Sequence, residues 1–349
     1  MKLAPSERTL IVQPLPGIGD MIWHLPHIHA IARTTSEGLI DLLAKPRSRA
    51  DQLLGTDPTV RRILWLERDS SRHSGLTGTI RLVTLLRQAR YQRVWILHDS
   101  ARYALVARLA GIPERIGYGF GAQGLWLKEP TRLPRQHRRA HPIAKAEQHR
   151  RAHPIAKADA LLELYDVART DDDGHLHLDP HHRERVQHRF AHLPQPWITL
   201  GIGSSESWKQ WGERNFAELA IEIVQRGWGL PVLIGGGPRE AALANSIANQ
   251  VQAAGANLLN GVNLTVAETA ALISCSRFYI GNDTGFLNVA AALGIDALGL
   301  FGSSPPLSHS PFIHVLLPDG EQSCDYSSRN MAGISVDAVL RRAAILLAD

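Results

Sequence analysis

The sequence predicts an α/β chain folded as two doubly wound domains. Short apolar runs alternate with helix-length segments, and Gly- or Pro-bearing turns separate them. The alternation occurs twice along 349 residues, a length that at roughly 150 residues per domain fits two domains. Hydrophobic residues make up 44% of the chain, enough for a core in each half. Strands that alternate with helices form parallel sheets covered on both faces.

In the first half, Leu10–Val12, Leu39–Leu43, Ile63–Leu66 and Val94–Leu97 read as buried strands. Met21–Arg33, Thr79–Arg90 and Arg102–Leu109 read as helices between them. In the second half the strands are Trp197–Gly201, Pro231–Ile234, Phe278–Ile280 and Ala297–Phe301. The helices are Glu213–Arg226, Arg239–Gln252, Thr265–Ser274 and Leu287–Leu293. Asp171-Asp172-Asp173-Gly174 and the His/Pro-rich stretch to Pro196 have linker composition, which places domains at 1–170 and 171–349. Before this junction, twelve residues, Gln136–Glu147, recur as Gln148–Asp159 and differ only at the last position. Each copy contains a proline, so an uninterrupted helix is not expected. A longer surface loop and a basic flap over an anionic acceptor are both consistent with it.

The net charge of +5 is unevenly spread. Residues 1–170 hold 27 Lys and Arg against 15 Asp and Glu, whereas residues 171–349 hold 11 against 18. The basic half suits an anionic partner; a merely solvated Arg-rich surface is the plainer reading. Charge alone would admit nucleic acid, but no nucleic-acid-binding module is recognisable. Cys275 and Cys324 cannot build a disulfide framework, which fits a reducing compartment. No signal peptide and no run of about 18 apolar residues is present, so neither export nor a membrane span is expected. The histidines show no zinc-ligand spacing.

Three segments carry candidate chemistry. Gly17-Ile18-Gly19-Asp20 follows the first strand and opens the first helix. Glycines there let the backbone approach a ligand, and Asp20 stands at a strand's C-terminal end, where open α/β sheets place their sites. A simple helix-capping role for Asp20 is the competing reading. Gly203-Ser204-Ser205-Glu206-Ser207-Trp208-Lys209 follows the first strand of the second half. Hydroxyls followed by a lysine suit a phosphate, and a solvated serine loop is the alternative. Asn282-Asp283-Thr284-Gly285 precedes an Ala-rich helix whose free amides and dipole would hold a pyrophosphate.

Together these segments resemble glycosyltransferase family 9, the ADP-heptose:lipopolysaccharide heptosyltransferases. The resemblance runs over nearly the whole chain. It rests on Ile18-Gly19-Asp20 with Leu25-Pro26, Lys209 and Trp211 with Phe216-Ala217-Glu218-Leu219, and Ile234–Glu240. Asn282–Gly285 with Ala290–Gly294, and then Leu300-Phe301-Gly302, complete it. The resemblance implies the GT-B fold, with two Rossmann-like domains facing across a cleft. The N-terminal domain would take the acceptor and the C-terminal domain the nucleotide sugar.

By the same resemblance, Asp20 matches the proposed catalytic base, with Gly17 and Gly19 in the loop beside the acceptor. Ser204, Ser205 and Lys209 match residues at the donor phosphates. Glu240 matches a ribose-binding carboxylate, and Leu264 an apolar residue near the adenine. Asp283, Thr284 and Gly285 match the loop holding donor sugar and pyrophosphate. Two departures stand out. Asn288 replaces the usual His, so the side chain there hydrogen-bonds but carries no charge. Gly212 follows Trp211 where proline is usual. The tandem repeat falls where the family has one helix-leading segment.

The implied reaction is inverting heptose transfer from ADP-heptose to the Kdo/heptose inner core of lipopolysaccharide. The anionic glycolipid acceptor would meet the basic half, with Lys45, Arg47, Arg49, Arg61 and Arg62 as candidate contacts. The ADP-sugar is a co-substrate; no cofactor is expected, and Mg2+ stays open. The resemblance implies a cytoplasmic enzyme in peripheral contact with the inner face of the bacterial inner membrane. The alternatives are a GT-B transferase for another nucleotide sugar or a protein acceptor, and a non-catalytic GT-B binding domain. A dinucleotide-dependent dehydrogenase is disfavoured, since no Gly-x-Gly-x-x-Gly follows the first strand.

Overall fold

A computed structural model describes residues 3–67, 72–128, 133, 153–307 and 309–348. The chain divides into two compact units, Met1–His177 and Leu178–Asp349.

The N-terminal unit is built on a five-stranded sheet of order β3-β2-β1-β4-β5, with every neighbouring pair parallel. Its strands are β1 (Thr9–Gln13), β2 (Ile40–Ala44), β3 (Val60–Trp65), β4 (Arg93–Ile96) and β5 (Glu114–Gly117). β1, β2 and β4 are buried along their whole length, which is why they read as largely apolar runs rather than alternating ones, with Asp41 the charged exception in β2. The helices are α1 (Ile18–Ala32), α2 (Ala50–Leu54), α3 (Gly75–Ala89), α4 (Ala101–Leu109) and α5 (Pro154–Leu164). One core cluster joins Leu10, Val12, Val94 and Ile96 of the sheet to Leu82, Leu86, Tyr103 and Val106 of α3 and α4.

Most of the tandem repeat lies outside the described residues. The end of its second copy does not: His153 accepts from the Ile155 N–H and Pro154 opens α5, so the proline begins a helix instead of breaking one. Asp159, at the single position where the copies differ, lies 2.8 Å from Nε2 of buried His27 and 3.1 Å from Arg169.

The linker expected up to Pro196 is instead largely structured. Thr170 and Asp173 cap a short 3-10 turn, Asp171–Gly174, which packs on α1; Asp173 pairs with Arg33 there. The run Asp171–His177 therefore belongs to the N-terminal unit. Next comes α6 (Pro180–Arg189), started by Asp179, which accepts from the His181 N–H, and by Pro180 in its first turn. Only Val186 of this helix is buried, so a nearly all-polar sequence hid it from hydrophobic periodicity.

The C-terminal unit has a six-stranded parallel sheet of order β11-β10-β9-β6-β7-β8. The strands are β6 (Trp197–Gly201), β7 (Leu230–Ile234), β8 (Leu259–Asn260), β9 (Phe278–Asn282), β10 (Ala297–Leu300) and β11 (Ile313–Leu316). The helices are α7 (Glu213–Gln225), α8 (Pro238–Ala253), α9 (Val266–Ser274), α10 (Gly285–Ala292) and α11 (Val336–Ala348). Strand order reverses between β1 and β4 in the first sheet and between β6 and β9 in the second. At such a reversal neighbouring loops leave in opposite directions and open a crevice at the strand C-termini.

Candidate functional site

Asp20 lies at the reversal point of the N-terminal sheet, in the first turn of α1 directly after β1. Its Oδ2 accepts from the Gly17 N–H at 2.7 Å, so the carboxylate does cap its helix. The backbone beneath it is fixed by buried polar groups: Gln13 Nε2 donates to the Asp20 carbonyl at 2.9 Å, and His24 Nδ1 lies 3.1 Å from the same oxygen. Burial, followed by repulsion from His27, pushes the His24 imidazole down to about 3 and leaves it neutral. Burial also raises the Asp20 carboxyl above the usual range, outweighing the Gly17 N–H and the positive fields of Lys45 and Arg47. A half-buried carboxylate with raised basicity at a strand end suits a general base.

Of the basic candidates, Arg61 and Arg62 lie at the surface with their guanidinium groups on a buried acid. Both bind the buried Asp41, Arg61 Nε at 3.0 Å and Arg62 Nη2 at 2.7 Å, and Tyr91 Oη donates to the same carboxylate at 2.6 Å. Lys45 and Arg47, after β2, are the two whose charge reaches Asp20.

In the C-terminal unit, the loops after β6 and β9 meet at the reversal point. Lys209 Nζ stands 3.2 Å from Asp283 Oδ2, and the Ser304 hydroxyl donates to that oxygen at 2.6 Å. Asn282 joins the loops: its Nδ2 donates to the carbonyls of Ile202 and Gly203 and to Gln210 Oε1, while its Oδ1 accepts from the Trp211 N–H at 3.2 Å. Trp211 anchors the far end of the first loop. It is buried edge-on against Phe216, with its indole N–H on the Ile334 carbonyl at 2.7 Å. Gly212 has φ +104°, which proline cannot adopt, so this turn takes a path closed to the family's usual residue.

Two close approaches explain glycines here. A Cβ on Gly201 would stand 1.9 Å from Tyr279 Oη, and one on Gly235 would stand 2.9 Å from Glu240 Cβ. Helix α9 is capped by its own Thr265 and Glu268, whereas α10 starts at Thr284 with no side-chain cap on its amides. Uncapped amides at a helix start are donors for an anion.

Lys209, Asp283, Thr284 and Gly285 are thus gathered at one reversal point. Ser204, in the same loop as Lys209, has its hydroxyl on the Glu206 carbonyl at 2.7 Å, and Ser205 is exposed. Asn288 is buried and donates to the Thr284 carbonyl at 3.1 Å, supporting the loop from behind. Glu240 occupies the first turn of α8 after β7, and half-buried Leu264 follows β8, on the adjoining strand-end loops. Gln13, His24 and Ser304 have structural roles that the sequence did not single out. Ser304 comes close only because the chain after β10 returns to the β9 loop. Among the described residues, no helix is long and apolar enough to cross a membrane.

The family model for glycosyltransferase family 9 (heptosyltransferase) matches residues 79–316. The chain is similar to lipopolysaccharide heptosyltransferase 2 of Salmonella typhimurium, 25% identical over 340 residues and covering 86% of each chain. In architecture it resembles a family 9 glycosyl transferase from Veillonella parvula, with TM-score 0.78, 19% identity, and 99% and 98% of the two chains covered. It also resembles ADP-heptose lps heptosyltransferase II of E. coli, with TM-score 0.71, 24% identity, and 97% and 98% covered. The fold is GT-B, built from two Rossmann-like domains. With most of its length matched by one family model, the chain belongs to glycosyltransferase family 9 and is a glycosyltransferase.

Proposed function

We propose that this chain moves heptose from ADP-heptose to the Kdo/heptose inner core of lipopolysaccharide, with inversion at the anomeric carbon. The observation that carries the reading is the Lys209–Asp283–Ser304 cluster beside the uncapped start of α10. It offers a cation, hydroxyls and amides to a diphosphate. The names of the similar proteins, lipopolysaccharide heptosyltransferase 2 and ADP-heptose lps heptosyltransferase II, supply the donor and acceptor class.

In this mechanism Asp20 takes the acceptor hydroxyl's proton as its oxygen attacks the anomeric carbon. The sugar passes through an oxocarbenium-like state, and the bond to the ADP oxygen breaks. Lys209, Ser204, Ser205, Thr284 and the amides from Gly285 onward take up the charge growing on the diphosphate. Lys209 exchanges its resting partner Asp283 for phosphate. Glu240 serves the ribose and Leu264 the adenine. No resident cofactor is proposed, and Mg2+ at the diphosphate stays open. The acceptor is an anionic glycolipid drawn to the basic N-terminal unit, so contact with the cytoplasmic face of the inner membrane is peripheral and weakens with salt.

Incubation with ADP-heptose and truncated core lipid, read by product mass, tests this directly. One added heptose is expected. Transfer from UDP- or GDP-sugars but not ADP-heptose would replace the donor assignment. No transfer from any nucleotide sugar would favour a non-catalytic binding domain, the reading prompted by Asn288.

A further inference from the structure

The buried face of α1 carries a group that the transfer reaction does not use. His29, nearly fully buried, places Nδ1 2.8 Å from the Asp173 carbonyl and Nε2 2.9 Å from Asp57 Oδ2. A carbonyl only accepts, so Nδ1 carries hydrogen; Nε2 then meets the Asp57 carboxylate either through a hydrogen of its own, as an imidazolium, or through a lone pair with a metal cation between the two atoms. Asp57, also buried, has its other oxygen held by Thr59: Oδ1 accepts from the backbone N–H at 2.9 Å and from the hydroxyl at 2.6 Å. Exposed His177 completes the group. One ligand atom from each of His29, Asp57 and His177 lies within 4.8 Å of the others, and the His29 and His177 rings are 5.7 Å apart. Tetrahedral zinc with bonds of about 2.05 Å separates its ligand atoms by about 3.4 Å, so the His29–Asp57 pair, 2.9 Å apart, must open by about 0.5 Å and the exposed His177 ring must turn toward it to admit the ion. Imidazole Nδ1–H on a backbone carbonyl and a carboxylate oriented by hydrogen bonds are the outer partners that metal ligands use.

We propose that His29, Asp57 and His177 bind one divalent transition-metal ion of the zinc class. Two nitrogens and one carboxylate oxygen make a donor set for zinc or cobalt rather than for calcium or magnesium. The fourth position takes water or His175, whose ring lies 5.3 Å from that of His177. The ion is structural. His29 is nine residues, or about 13 Å of helix, from Asp20. What the ion ties together is α1, the turn after α2, and the last residue of the N-terminal unit.

The test uses untagged, chelator-treated full-length protein titrated with Co2+ and Zn2+. Because the chain has 17 histidines, binding alone decides little. The expected result is one equivalent of Co2+ with tetrahedral visible absorption bands, displaced by Zn2+. At a hundredfold excess over Kd, Zn2+ should raise Tm by about 5 °C or more. His177→Ala, at an exposed position, should weaken this binding at least about tenfold and abolish the Tm shift. Zn2+ should also protect His177 of the unaltered protein from diethylpyrocarbonate, read by mass spectrometry. Equal Co2+ binding and Tm shift in His177→Ala, or unprotected His177 at saturating Zn2+, would overturn the site. A proton would then hold His29 to Asp57. None of these readouts depends on the transfer reaction.

Discussion

The two sheets reverse strand order in the same way, yet the two reversal points are furnished differently. In the N-terminal unit the loop after β1 holds a titratable carboxylate, Asp20, set on a framework of buried neutral groups, Gln13 and His24. In the C-terminal unit the loops after β6 and β9 hold a charged pair, Lys209 and Asp283, with hydroxyls and an uncapped helix start. Under the proposed function, one topology offers a proton acceptor in one unit and an anion cradle in the other. The topology fixes where a site forms, and the strand-end loops decide what it does.

The comparison breaks most severely at Asp20. Asp20→Asn keeps the acceptor oxygen for the Gly17 N–H but removes the base. Turnover should fall by about a hundredfold or more while ADP-sugar affinity stays the same. Because the folded state raises this pKa, it holds the proton more tightly than the unfolded chain does. Stability from this group is therefore present at low pH and lost as pH rises through the folded pKa. At pH 7 the Asn variant should melt at or above the wild-type temperature, with the difference vanishing in acid. The acid limb of wild-type turnover should lie above the usual carboxylate range, the base being active only when ionised. A variant with undiminished turnover would remove Asp20 from the mechanism.

The cradle is sharpened by Lys209→Ala. Removing one charged hydrogen-bond donor is worth about 1.5–3 kcal/mol, so donor affinity and turnover should together fall roughly ten- to a hundredfold. Unchanged kinetics would count against the phosphate assignment. Gly201→Ala tests the framework behind the cradle. The new methyl group must displace Tyr279, costing about 1–3 kcal/mol and several degrees of Tm. Part of the loss should return in the Gly201→Ala/Tyr279→Phe double variant, which lacks the phenol oxygen. Asn288→Ala should act least: losing its bond to the Thr284 carbonyl costs about 1 kcal/mol and loosens the donor loop, seen as a higher donor KM.

The legibility of the chain follows the same division. Fully buried strands such as β1 and β6 announce themselves as apolar runs. β5 and β11 are short and partly exposed, and α6 buries only Val186, so none of the three carries a periodic signal. The candidate residues Asp20, Lys209 and Asp283 were legible because each follows a strand and precedes a helix in an unusual local pattern. Arg61 and Arg62 were legible as exposed cations, but nothing near them in the chain showed that both would pair with Asp41, in the middle of β2.

The sequence by itself determined two parallel sheets, their strand-end loops and the family, since these depend on periodicity and on residues close together in the chain. The tertiary structure alone decided that Arg61 and Arg62 pair with Asp41, that Ser304 returns to Asp283, and that His29, Asp57 and His177 converge. The physical reason is range. Hydrophobic patterning acts over neighbouring residues, whereas a hydrogen bond or ion pair needs two groups within about 3 Å, whatever length of chain separates them.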